Sequence, residues 1–89
     1  MEVRKHFVFS GGVQGVGFRC RASYAAQRYR CTGWVRNEWD GTVTMELQGK
    51  EEDLEQVILG IERGTYVRIE NMDVRTMPLE AHEYGFRIE

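Results

Sequence analysis

The 89-residue sequence predicts an α+β fold in which two helices cover one face of an antiparallel sheet. Three observations lead to this prediction. Two segments carry apolar residues at helical spacing, five carry them at strand spacing or in short apolar runs, and an Asp-Gly turn separates two of the strands. Because each helix has a single apolar face, both need a partner surface, and one face of a sheet provides it.

The N-terminal third of the chain predicts a strand followed by a helix. Residues 3–10 form the strand, with Phe7 and Phe9 on one face and His6 on the other, where we expect a half-exposed residue without a catalytic role. The helix begins at residue 18, ends near Arg30 and carries its apolar residues on one stripe. The stripe consists of Phe18, Ala22, Ala25, Ala26 and Tyr29.

The middle of the chain predicts a β-hairpin. Residues 31–37 and 42–48 form its two strands, and the Asp40-Gly41 pair between them is a strong turn signal. Apolar and polar residues alternate along the second of these strands. One of its faces is therefore expected in the core and the other in water.

The C-terminal half predicts a second helix over residues 51–63 and two more strands. The acidic residues at the helix start suit the helix dipole, which explains them better than acid–base catalysis does, and Gly64 fits the position after the helix end. In the strand over residues 66–74 the apolar residues change parity, which predicts a β-bulge near Asn71.

After a loop that contains Pro78, Tyr84, Phe86 and Ile88 alternate in a short last strand. The order of elements is therefore β-α-β-β-α-β with an extra C-terminal strand. This order predicts a ferredoxin-like two-layer sandwich.

The composition is that of a globular protein, with 42% hydrophobic residues, 29% charged residues and a net charge of −2. A duplex-binding protein is usually basic, so we expect no nucleic-acid partner. Apolar runs such as residues 7–9 are too short to span a membrane, and residues 1–6 lack the apolar segment of a secretory signal. We therefore expect a single, monomeric, cytoplasmic domain over residues 1–89 with no membrane partner.

The two cysteines, Cys20 and Cys31, are expected to be small buried residues. At the opposite ends of a helix they would lie about 15 Å apart, whereas a disulfide needs Cα atoms within about 7 Å. His6 and His82 have no ligand spacing with each other or with the cysteines, so no metal site is predicted.

The stretch between the first strand and the first helix is the candidate functional motif. It holds four of the ten glycines and reads Gly11-Gly12-Val13-Gln14-Gly15-Val16-Gly17-Phe18-Arg19. Glycines permit positive φ and close approach of a ligand, and a helix N-terminus presents unpaired N–H groups to an anion. The guanidinium of Arg19 matches two phosphate oxygens. The alternative is an ordinary tight turn before an exposed arginine, because the spacing fits neither a Walker A loop nor a dinucleotide-binding loop.

Two stretches of the sequence resemble the signatures of the acylphosphatase family. Residues 11–19 fit the first signature at every specified position. The second signature is matched by Gly33-Trp34-Val35-Arg36-Asn37, followed at the required spacing by Gly41, Val43 and Gly49. The resemblance extends over the whole chain, including the order of strands and helices.

The resemblance implies an enzyme that hydrolyses the mixed anhydride of a carboxyl group and phosphate, without a metal or another cofactor. The substrate is then a small-molecule acyl phosphate, and inorganic phosphate is the product ligand. By motif, Arg19 and Asn37 resemble the catalytic residues, Arg19 gripping the phosphoryl group and Asn37 positioning the attacking water. The phosphate-binding residues implied are Gly12, Val13, Gln14, Gly15, Val16 and Arg19.

Two positions depart from the family pattern, and two other functions stay open. Arg30 stands where a glycine is common, so we expect it near positive φ at a cost of about 1 kcal/mol. Lys50 replaces a common proline before the second helix. The alternatives are an acylphosphatase-like domain in carbamoyl transfer, as in hydrogenase-maturation proteins, and a non-catalytic module that binds phosphate or another anion.

Overall fold

The computed structural model describes residues Met1–Glu89 as two helices packed on one five-stranded sheet. The two helices lie on the same face of the sheet, and the core lies between the two layers. In chain order the elements are β1 (Glu2–Gly12), α1 (Phe18–Arg28), β2 (Thr32–Asn37), β3 (Val43–Lys50), α2 (Glu51–Glu62), β4 (Arg68–Met77) and β5 (Phe86–Ile88).

The strand order across the sheet is β4-β1-β3-β2-β5. The four long strands pair antiparallel, as predicted, and β5 pairs parallel to β2, so the complete sheet is mixed. This arrangement confirms the ferredoxin-like α+β fold. The parallel pairing of the short last strand is a detail that the sequence pattern did not specify.

The core contains the apolar faces that the periodicities predicted. Phe7 and Phe9 of β1 are buried, as is every other residue of β3 from Val43 to Leu47. The stripe of α1 from Phe18 to Ala26 packs against them, together with the apolar face of α2. On β3 the polar Thr44 is also buried, with 6% of its surface exposed.

The bulge predicted near Asn71 is present in β4. Ser10 of β1 pairs with Asn71, whereas the next residue, Gly11, pairs with Ile69, so Glu70 is the extra residue. The bulge brings Ile69 and Met72 to the same face of the sheet despite their different parity.

The end of α1 confirms the backbone prediction for Arg30, whose φ is +57°. The N–H of Arg30 donates to the carbonyl of Gln27 at 3.2 Å, and the N–H of Cys31 donates to the carbonyl of Ala26 at 2.8 Å. These two bonds form a Schellman motif with an arginine at the position that glycine usually occupies. Arg30 therefore carries strain that a glycine would not.

One expectation needs correction. Cys31 is buried, but Cys20 is exposed, because it lies two residues from both Phe18 and Ala22 and so on the opposite side of α1. Gly64 follows the C-cap residue Arg63 of α2, as predicted, without adopting positive φ. Its lack of a side chain matters for another reason: a Cβ there would lie 2.7 Å from Cδ of Arg21.

The strands also differ in extent from their predicted bounds: β1 continues to Gly12, and β4 covers Arg68–Met77. Neither helix combines the length and the apolar character needed to cross a membrane.

Candidate active site

The glycine-rich loop forms a tight connection between β1 and α1. Gly15 and Gly17 have φ of +71° and +83°, a region that other residues rarely adopt. Gly17 is the N-cap of α1, and no side chain caps the helix there. A Cβ added at Gly15 or Gly17 would meet no other atom within 4 Å, so both glycines border open space. The loop therefore has the backbone shape and the room that a bound anion requires.

The loop and the first turn of α1 present a cluster of unpaired donors. The main-chain N–H groups of residues 13–20 donate no main-chain hydrogen bond within the protein. The first N–H of this region with a main-chain acceptor is that of Arg21, which donates to the carbonyl of Gly17 at 3.0 Å. Such N–H groups, together with the positive end of the helix dipole, favour a negatively charged ligand.

Three side chains hold the loop in place. Val13 is buried in the core with 1% of its surface exposed, and Val16 packs against the core. The side-chain amide of Gln14 donates to the carbonyls of Glu38 and Thr42 at 2.7 and 2.9 Å. Gln14 thus joins the loop to the β2–β3 hairpin. Of the predicted cradle residues, Val13 can serve an anion only through its main chain, because its side chain belongs to the core.

Arg19 lies in the first turn of α1, beside the loop. Its neighbour Phe18 fixes the start of the helix, because its ring packs on that of Phe9 with centroids 4.8 Å apart. The guanidinium of Arg19 has no Asp or Glu side-chain carboxylate within 4.0 Å, and its one hydrogen bond is a long one, 3.5 Å to a main-chain oxygen of Glu89, the last residue in the sequence. Arg19 is therefore a half-buried cation that forms no ion pair with an acidic side chain.

Asn37 reaches the same end of the sheet from another part of the chain. It is the last residue of β2 and pairs with Val43 of β3, which in turn pairs with Phe9 of β1. Directly paired residues of antiparallel strands share a face, so Asn37 lies on the face that the helices cover. Its side chain makes no hydrogen bond within the protein, and it directly precedes Glu38, whose carbonyl Gln14 binds.

The nearest acidic residue in the chain does not supply a strong base beside Asn37. A hydrogen bond from Arg36 at 2.8 Å, helped by one from Thr44, holds the pKa of Glu38 below its usual value. A carboxylate with a lowered pKa is a weaker base than usual. Arg36 also lies 4.9 Å above the ring of Trp34, which fixes this ion pair on the hairpin.

No group of three or more His, Cys, Asp or Glu side chains is placed to hold a metal ion. His6 lies away from the loop, on the strand face opposite to Phe7, with Nδ1 2.6 Å from a carboxylate oxygen of Glu46. Its partial exposure agrees with the half-exposed strand residue that the sequence indicated.

Sequence reasoning missed two features of the site. The link from Gln14 to the hairpin had no signal beyond the presence of a long amide side chain within the motif. The position of Glu89 beside Arg19 had no signal in the sequence, because it depends on a long-range hydrogen bond. In that bond the N–H of Glu89 donates to the carbonyl of Val35 at 2.8 Å.

The fold is that of a small α+β protein with a candidate anion site at a strand–loop–helix junction. Residues 5–88 match the acylphosphatase family, and the chain belongs to this family. An acylphosphatase of Geobacillus kaustophilus is 41% identical over 86 residues, which cover 96% of this chain and 92% of that protein.

Two solved structures share this fold. The crystal structure of acylphosphatase from Bacillus subtilis matches with a TM-score of 0.88 and 26% identity, over 98% of each chain. The crystal structure of full-length HypF in a phosphate- and nucleotide-bound form also matches with a TM-score of 0.88 at 30% identity. In that case the match covers all of this chain but only 12% of the other.

Proposed function

We propose that this acylphosphatase hydrolyses acyl phosphates at the junction of β1 and α1. Arg19 and the main chain of residues 12–16 hold the phosphoryl group, and Asn37 orients the attacking water. The observation that carries the proposal is the guanidinium of Arg19, which pairs with no acidic side chain, next to a run of unpaired N–H groups, residues 13–20. These groups together supply the positive potential and the directed donors that a phosphoryl group requires.

The reaction makes modest demands on such a site. Water attacks phosphorus, the bond from phosphorus to the acyl oxygen breaks, and the carboxylate leaves with the bonding electron pair. A carboxylate is a good leaving group, so catalysis depends mainly on positioning and on stabilising charge on the phosphoryl oxygens. The N–H groups of the loop and the guanidinium of Arg19 provide that stabilisation without reorganising.

Asn37 suits the task of orienting the water. Its amide can donate one hydrogen bond and accept another, and no protein group occupies either function. A neutral amide is a poor base, so we assign the proton of the attacking water to a phosphoryl oxygen of the substrate itself. This route needs neither a strong enzymic base nor a metal ion.

The role of Arg19 is tested by Arg19→Ala and Arg19→Lys. We expect Arg19→Ala to lower kcat/KM by about a thousandfold or more and to weaken inhibition by inorganic phosphate at the same time. Arg19→Lys should restore only part of both, because an ammonium cannot make the bidentate contact. Full activity of Arg19→Lys would contradict the bidentate assignment.

The role of Asn37 is tested by Asn37→Ala, with benzoyl phosphate as substrate and EDTA present throughout. We expect kcat to fall by about a hundredfold or more while the inhibition constant of phosphate stays within about twofold. Asn71→Ala on the exposed edge strand is the matched control and should behave as the wild type. Loss of phosphate affinity in Asn37→Ala with unchanged kcat would show that this residue binds phosphate and does not position water.

The same assay separates the alternatives. HypF contains a region with this fold at 30% identity, which keeps the carbamoyl-transfer reading open. An enzyme that turns over carbamoyl phosphate much faster than benzoyl phosphate would favour that reading. A folded wild type that binds phosphate but hydrolyses neither compound would favour the non-catalytic module. The monomeric state, which size-exclusion chromatography tests, and the cytoplasmic location stay predictions.

A further inference from the structure

A second candidate site lies between the outer sides of α1 and α2. It is a groove of about 480 Å³, which is within the size range of small-molecule sites. Its chemically distinctive residues are Arg21, Arg28 and Arg63 together with Tyr24 and Tyr29. Arg19 does not line this groove, so it is separate from the site at the N-terminus of α1.

The groove is strongly positive in a chain with a net charge of −2. No carboxylate lines it, and none lies within 4.0 Å of the guanidinium groups of Arg21, Arg28 or Arg63. Nε of Arg21 donates to the carbonyl of Gly60 at 3.1 Å, which positions this side chain but leaves its terminal nitrogens available. Three such arginines are a surface on which several phosphate oxygens can be bound.

Aromatic surface accompanies this charge. Tyr24 is 70% exposed, so its ring contributes little to the core and is open to a ligand. The guanidinium of Arg28 lies 5.8 Å from the ring centroid of Tyr29, so a cation and an aromatic ring are neighbours in this groove. A planar base can stack on an exposed ring while its phosphates bind the neighbouring arginines.

We propose that this groove binds a nucleoside diphosphate, with the phosphates on the three arginines and the base on Tyr24. A single inorganic anion would use the arginines but not the ring, and an apolar ligand would use the ring but not the arginines. The groove is confined to one face of two short helices, which suits a mononucleotide better than a nucleic-acid strand. The proposal does not depend on the hydrolysis of acyl phosphates.

The test is isothermal titration calorimetry of the full chain with ADP and, separately, with pyrophosphate. Arg28→Ala should weaken ADP binding about tenfold, since it removes a charge-assisted hydrogen bond. Arg75→Ala, which removes an exposed arginine of β4 without an ion pair, is the matched control and should leave binding unchanged. Tyr24→Ala should weaken ADP binding about fivefold or more and leave pyrophosphate binding unchanged.

Arg19→Ala distinguishes the groove from the active site. If ADP occupies the groove, this variant binds ADP like the wild type although its acyl phosphate hydrolysis is lost. The proposal is wrong if the wild type does not bind ADP, or if Arg19→Ala weakens ADP binding as much as Arg28→Ala does. Equal weakening of ADP and pyrophosphate by Tyr24→Ala would overturn the assignment of the base to this ring.

Discussion

Arg30→Gly is expected to stabilise the protein, because Arg30 holds a left-handed conformation at the end of α1. Its φ of +57° is required by the Schellman motif, whose hydrogen bonds run from Arg30 to Gln27 and from Cys31 to Ala26. A residue with a Cβ pays about 1–2 kcal/mol in this region. Glycine avoids that cost but loses about 0.5–1 kcal/mol more backbone entropy on folding.

The difference is a net gain of about 0.5–1 kcal/mol for Arg30→Gly, which corresponds to a rise in Tm of about 2–8 °C for a domain of this size. Arg30 is exposed and has no ion pair, so no other contact offsets the gain. The assay is thermal unfolding followed by circular dichroism, together with urea unfolding to obtain the free energy of unfolding.

Two control variants isolate the backbone effect. Arg30→Ala keeps the Cβ and removes the charge, so its stability should stay within about 0.5 kcal/mol of the wild type. Gln27→Gly places glycine at an exposed helical position and should lower stability by about 1 kcal/mol. If Arg30→Ala stabilised as much as Arg30→Gly, charge and not backbone strain would explain the gain, and our reasoning would be refuted.

Three further predictions concern an ion pair, the cysteines and the loop. Glu83→Gln should cost about 2 kcal/mol at pH 7, because the carboxylate of Glu83 lies 2.7 Å from the buried guanidinium of Arg4. Burial raises the pKa of Glu83, but the hydrogen bonds from Arg4 and Thr32 outweigh it and the net pKa is lowered. The ionised Glu83 therefore stabilises the folded protein fully at pH values above the pKa that Glu83 has in the unfolded state. This stabilisation is lost as the pH falls through the lower pKa of Glu83 in the folded state. In urea titrations between pH 6 and 3, the free energy of unfolding should therefore fall more for the wild type than for Glu83→Gln. In the native protein, iodoacetamide should alkylate the exposed Cys20 and spare Cys31, because burial raises the pKa of the Cys31 thiol to about 11. Mass spectrometry after a short incubation measures the alkylation of each cysteine. Equal alkylation of the two would contradict the burial of Cys31. Gln14→Leu should weaken inhibition by phosphate severalfold, because it removes both hydrogen bonds that hold the loop to the hairpin. The inhibition is measured in the acyl phosphate hydrolysis assay. Inhibition as strong as in the wild type would mean that the core contact of Val13 alone orders the loop.

Local patterns were enough to predict most elements of the fold. Helical periodicity identified both helices, and the change of parity in β4 predicted the bulge at Glu70. The sequence could also have predicted the exposure of Cys20, because a residue two positions away from Phe18 and Ala22 in a helix lies off their apolar stripe. The burial of Arg4 was not, because it depends on Glu46 and Glu83, which lie 42 and 79 residues away in the chain.

The sequence motifs also could not show which strand β5 pairs with, because this pairing joins distant segments of the chain. A strand of three residues carries too little pattern to select its neighbour, and its parallel pairing with β2 depends on contacts such as Gly33 with Phe86. The strand matters for the site, because the residue that follows it, Glu89, brings a main-chain oxygen to 3.5 Å from Arg19. The position of Glu89 next to the guanidinium of Arg19 therefore depends on β5, the strand whose pairing the sequence predicted least well.

The two parts of the proposed site come from separate units of the fold, and the core joins them. The loop and Arg19 belong to the β1–α1 unit, whereas Asn37 belongs to the β2–β3 hairpin. Between them stands Val43, which pairs with Phe9 on one side and with Asn37 on the other. Neither unit alone could hold a phosphoryl group and a water in register, so the site requires the assembled sheet. Substitutions in this stretch of the core should therefore reduce activity before they unfold the protein, since a small displacement of a positioned water costs rate more readily than it costs stability.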